Sequence, residues 1–153
     1  MITRIDIIQQ STPDQEGYLD LIECFDELDK SVYISRCGST PNPRSPKTGA
    51  RWDTCYAWIA AGHDYGWRVY HSPSKGKVLL LNNGGNVVTV NPNPNQNGEH
   101  YAEYVEIHEG DSPSWRGSMA CITLPPAAWS RFIDMFDNKA EGTIYIKKQE
   151  KVA

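Results

Sequence analysis

The apolar residues of this chain arrive in short alternating runs separated by turn-forming residues, and that rhythm confines it to a mostly β architecture. Residues 2–9 read as a first strand and Tyr18 to Phe25 as a second. Asp26 to Lys30 then reads as a hairpin connection, and Val32 to Cys37 as a third strand. Gly38 to Gly49, with Pro41, Pro43 and Pro46, is a surface loop. Thr54 to Ala60, Trp67 to His71 and Lys77 to Leu81 supply further strands, and Asn82-Asn83-Gly84-Gly85 is a turn before Asn86 to Val90. Asn91 to His100 is a long loop. Tyr101 to His108 alternates again, with Tyr104 and Ile107 as apolar anchors and Glu103 and Glu106 facing water. After a loop over Glu109 to Gly117 comes Cys121 to Leu124. Pro125-Pro126 then opens a stretch with helical spacing, Ala128, Trp129, Phe132, Ile133 and Phe136. Gly142 to Lys147 closes the chain as a strand. The expected fold is a single mostly β domain over 1–153, a sandwich or a partly closed barrel with one late helix.

Charge and composition exclude several classes of function. The formal net charge is −4, and Glu150 interrupts Lys147, Lys148 and Lys151, so no nucleic-acid partner is expected. No apolar run is long enough to span a bilayer, so no membrane insertion is expected. Met1 to Asp6 lacks the basic and apolar regions of a secretory signal, so synthesis in the cytoplasm is expected. Cys24, Cys37, Cys55 and Cys121 are too irregularly spaced for a zinc site, and no His-Glu-x-x-His pattern occurs; neither metal nor cofactor is expected. Disulfides among the first three cysteines stay open.

Chemistry concentrates between Ile107 and Thr123. His108 ends a strand, and a loop that can fold back leads to Cys121. A histidine near a thiol can take its proton, and the imidazolium then holds the thiolate by charge attraction. Gly117, Ser118 and Ala120 permit a tight turn whose amides face an oxyanion. Ser118 can bond either the substrate or the turn. The imidazole needs an orienting group, and the Glu109 carbonyl is preferred to the Asp111 side chain. Arg116 is the candidate for substrate carboxylates, Trp115 for stacking, and His63 for lining a groove.

The block His108…Ser118-Met119-Ala120-Cys121 resembles the L,D-transpeptidase (YkuD-like) catalytic domain, in which a histidine is followed, after a gap, by Ser or Thr and then His-Gly-Cys. Trp129 to Phe136 and Gly142-Thr143-Ile144-Tyr145-Ile146 match the family's helix and its following strand, so the likeness covers about residues 101–147. Met119 stands where the family has histidine and Ala120 where it has glycine; the Gly-Ser-x-x-Cys form is closer to small divergent members from phages and bacterial toxin systems. The resemblance implies that Cys121 attacks the L-side carbonyl of an L-to-D bond in a peptidoglycan stem peptide, leaving a thioester. His108 acts as base and then acid, and an amine or water resolves the thioester. Gly117, Met119 and Ala120 join Arg116, Trp115 and His63 as substrate-binding candidates. It further implies action in the periplasm or wall after release or delivery, with an immunity or delivery protein as a partner. The competing expectations are a non-catalytic cell-wall-binding module and a structural component of a phage or secretion particle.

Overall fold

Strand β1, Ile2–Gln9, sits inside the sheet between β2, Asp20–Asp26, and β10, Glu141–Lys148. Its register sets Ile5 between Cys24 and Ile144, and Ile7 between Ile22 and Ile146; all six are fully buried. Paired residues on neighbouring strands share a face, so this row defines the inside of the sheet. The computed structural model describes residues 1–112, 115–118 and 120–149. Its remaining strands are β3 (Ser31–Cys37), β4 (His63–Ser72), β5 (Gly76–Leu81), β6 (Val87–Val88), β7 (Tyr101–Ala102), β8 (Glu106–Glu109) and β9 (Ile122–Leu124). The main sheet runs β3-β2-β1-β10-β4-β5-β8-β9, while β6 and β7 form a separate ribbon.

The sheet nearly closes. Gly38, just past β3, exchanges backbone hydrogen bonds with Thr123 of β9, at 2.7 and 2.9 Å. The result is a barrel-like, mostly β domain with a late helix, α2, at Pro126–Ile133. Pro126 occupies the first turn of α2, where a missing amide donor costs least. The helix packs on the inner face. Its Phe132 ring lies 5.9 Å from Tyr33, and Phe136, just beyond its end, meets Trp67 edge-on at 5.2 Å. Such tilted and edge contacts are the geometry aromatic pairs prefer. Among the described residues no helix is long and apolar enough to cross a membrane.

Two segments depart from the sequence expectation. Thr54 to Ala60 is not a strand: Trp52–Cys55 forms a single helical turn, α1, and only Ile59 makes an isolated bridge, to Thr89. The Asn91 side chain substitutes for ladder partners here, accepting from Trp58 N–H and donating to the Tyr56 carbonyl. Tyr101 to His108 is two strands, because Tyr104 adopts φ +51° and breaks the ladder. Its ring is 61% exposed, so it is no core anchor. It rests over Gly84, where an added Cβ would come within 3.1 Å of it. Glu106, expected to face water, is buried.

Candidate active site

Alternation along β8 sends Ile107 inward and Glu106 and His108 to the opposite face. Strand β9 runs parallel, with Ile107 beside Ile122 and His108 beside Thr123. One step back along the ladder, Cys121 falls beside Glu106, and its Sγ accepts the Glu106 N–H at 3.4 Å. Cys121 immediately precedes β9 and its sulfur meets the backbone of β8 two residues before His108. Among the described residues no hydrogen bond joins Cys121 to His108 directly.

The imidazole is fixed from the other side. His108 Nδ1 lies 2.8 Å from the Glu109 carbonyl. A carbonyl only accepts, so Nδ1 carries the proton and Nε2 keeps a lone pair. The Asp111 carboxylate is not the orienting group; it packs against Gly117 (φ +67°), where an added Cβ would lie 2.6 Å from it.

Electrostatics separate this pair from a preformed thiolate–imidazolium. Burial, helped by Lys75, pulls His108 down to about 4, although its bond to the Glu109 carbonyl and the nearby Asp111 oppose this. Burial also pushes the Cys121 thiol up, against the Glu106 N–H and Lys75. Both effects favour neutral partners. Burial thus favours the neutral imidazole at His108 and the neutral thiol at Cys121. The other thiols are less suited to chemistry. Burial lifts Cys24 to about 12 and Cys37 well above the usual range, and the Cys55 Sγ–H donates to the Arg51 carbonyl at 3.4 Å. All four cysteines are free thiols, and Cys121 is half-buried.

Neutral His108 ties stability to acid. Its folded pKa lies below the unfolded value of 6.5, so this contribution is complete above pH 6.5 and is lost as the pH falls toward about 4. Between pH 7 and pH 4.5 the wild type should lose roughly 2–3 kcal/mol more stability than His108→Gln. Urea unfolding at the two pH values measures this; equal losses would show that His108 is not held neutral.

A cleft of about 430 Å³ opens beside the imidazole. Its walls include Ser74 and Lys75 from the β4–β5 turn, His108, Glu109 and Asp111, and Pro126 of α2. Cys121 is not one of its lining residues; its sulfur accepts from the Glu106 N–H. Lys75 Nζ stands 3.9 Å from Glu106 Oε1, and burial raises the Glu106 carboxyl while Lys75 opposes the rise. Neither Lys75 nor Glu106 was singled out by sequence. Strand alternation alone places Glu106 on the face of His108; nothing local signals Lys75, whose approach depends on β5 pairing with β8.

The other candidates scatter. Ser118 is fully buried, and its Oγ–H donates to the Cys121 carbonyl at 2.6 Å, so it braces the turn. Arg116 is 1% exposed and does not reach the cleft. Its guanidinium donates instead to the carbonyls of Pro13, Gln15, Gly17, Thr40 and Pro41. That corrects its reading as a substrate contact. Trp115 and Gly117 line a separate hollow of about 360 Å³ with Tyr56 and Cys55. Ala120 packs against the core. Met119 lies outside the described residues. His63 is exposed and stacks on Tyr65. It stands six residues, about 20 Å, along β4 from Val69, whose row crosses Leu79 to Ile107, so it is not brought to the cysteine.

Tyr18 was also unforeseen. Its hydroxyl donates to the carbonyls of Ser112 and Trp115, tying down the loop after His108. Gly110 makes room for it, since any Cβ there would collide with the phenol oxygen. Burial, then Asp111, raises this phenol to about 12, keeping it a donor. Among the described residues no three His, Cys, Asp or Glu side chains gather as metal ligands. The chain matches no family model, no curated protein and no solved structure.

Proposed function

We propose that this chain is a cysteine-dependent acyl-transfer enzyme that acts on peptidoglycan stem peptides through a thioester at Cys121. One observation carries the reading: a free thiol is bonded to the backbone of β8, the strand that carries a buried imidazole whose Nδ1–H is fixed by a backbone carbonyl, and an open cleft lies beside that imidazole. The substrate class rests on the resemblance of His108 and Ser118 to Cys121 to the L,D-transpeptidase pattern. In this reading the Cys121 S–H proton passes to His108 Nε2 as sulfur bonds to the carbonyl carbon on the L side of an L-to-D bond. The C–N bond then breaks, His108 returns the proton to the departing amine, and a thioester remains. An amine from a second stem converts the thioester to a new amide; water converts it to a carboxylic acid. Action in the periplasm or wall, reached by release or delivery, follows from the same reading, as does a partner that delivers or neutralises the enzyme.

Intact-mass analysis with a purified murein tetrapeptide tests this. Wild-type protein is expected to gain the mass of the acyl group as D-alanine appears, and peptide mapping is expected to place the adduct on Cys121. A shortened stem identifies hydrolysis, and a cross-linked dimer identifies transpeptidation. Absence of adduct, shortened stem and cross-link alike overturns the proposal.

A further inference from the structure

A thiolate at Cys121 needs a positive charge beside it, and the buried imidazole of His108 does not carry one at neutral pH. The ionisable groups described near the sulfur and in the cleft beside His108 come from three places. Strand β8 supplies Glu106 and His108, the loop after it supplies the carboxylates of Glu109 and Asp111, and the β4–β5 turn supplies Lys75. Of the residues described as lining the cleft, Lys75 alone is a cation.

We propose that Lys75 supplies the missing charge: held toward the Glu106 carboxylate, on the strand whose Glu106 N–H binds the sulfur, it is the positioning residue that stabilises ionised Cys121. Glu106 contacts both partners, the sulfur through its backbone and Lys75 through its side chain. One ammonium then serves two ends. It favours the thiolate, and it disfavours the imidazolium, keeping His108 neutral. The ionisation is a simple proton loss: the S–H bond breaks, its electron pair stays on sulfur, and the proton goes to water or to His108 Nε2. Lys75 is partly exposed, so solvent screens part of its effect on the thiol.

The inference rests on Cys121 as nucleophile, but its test needs no substrate. The rate of Cys121 alkylation by iodoacetamide is followed against pH, with each cysteine read separately by peptide mass spectrometry and Cys55 as internal reference. Lys75→Met is expected to raise the apparent Cys121 pKa by about one unit, and Lys75→Arg to restore it. Glu106→Gln is expected to lower it, and His108→Gln to move it less than Lys75→Met does. A Lys75→Met profile that overlays the wild type, or a larger rise in His108→Gln, overturns the proposal. Lys75 is on a surface turn, so the Met and Arg variants decide the matter even if Glu106→Gln fails to fold. A normal profile shift without any acyl adduct would sink the proposed function and leave the role of Lys75 standing; an adduct with no shift does the reverse.

Discussion

Replacing Arg116 by methionine is expected to cost about 3–5 kcal/mol of folding stability, seen as a lower urea midpoint at pH 7. The guanidinium has five N–H donors in a rigid fork, and the structure gives it five carbonyl acceptors. Those acceptors lie on two loops, Pro13 to Gly17 and Thr40 to Pro41, that no strand pairing joins at these positions. Methionine keeps much of the apolar stem but orphans these carbonyls, those of Pro13, Thr40 and Pro41 in buried positions. The backbone of Gly38 also presses on the Arg116 stem, where an added Cβ would lie 2.4 Å from Cδ, so there is little room for water to replace the lost donors. Lysine keeps the charge but not the fork, and Arg116→Lys is expected to fall about midway. A methionine variant within 1 kcal/mol of wild type would show that the two loops hold themselves.

In the proposed thioester reaction, exchanging the Cys121 sulfur for oxygen is expected to abolish turnover as fully as removing it. Cys121→Ser and Cys121→Ala should both release D-alanine from a murein tetrapeptide about 10⁴-fold more slowly than wild type, or slower still. Serine is nearly the same size, so the turn braced by Ser118 should survive. The failure is one of acidity. An alcohol gives up its proton far less readily than a thiol, and His108, pulled down to about 4, is too weak a base to take it. Serine hydrolases succeed because a buried carboxylate strengthens their histidine; here Nδ1 meets only the Glu109 carbonyl. A Cys121→Ser protein that kept a tenth of wild-type turnover would mean that the imidazole is a much stronger base than its surroundings indicate.

Local patterning made most strands legible. Ile2–Gln9, Ser31–Cys37 and Gly76–Leu81 lie where alternation and turn residues point, and Pro126–Ile133 follows its paired prolines. The failures came where long-range contacts overrule local preference. The β-prone run Thr54 to Ala60 lacks a full partner strand and borrows the Asn91 side chain. Tyr104 breaks a good strand pattern because its ring has Gly84 to rest on. At the site, His108 and the Glu109 carbonyl are neighbours in sequence, so their contact was open to local reasoning. Arg116 was not: its acceptors lie about 75 to 103 positions away in the chain, and an arginine in a polar loop looks the same whether it meets solvent or a ring of carbonyls. The neutral state of His108 was hidden for a similar reason, since burial belongs to the assembled sheet.

The bridge between Gly38 and Thr123 carries one more implication. A sheet that returns on itself through a single rung has a zipper with one tooth, and β9, the strand beyond the zipper, begins immediately after Cys121. Beyond that rung β9 is paired only with β8 among the described residues, yet Ile122, Thr123 and Leu124 are fully buried, so parting the seam would also expose core side chains. The sulfur of Cys121 thus sits at the entrance to the strand that closes the barrel, while the imidazole of His108 stands on the next strand inward.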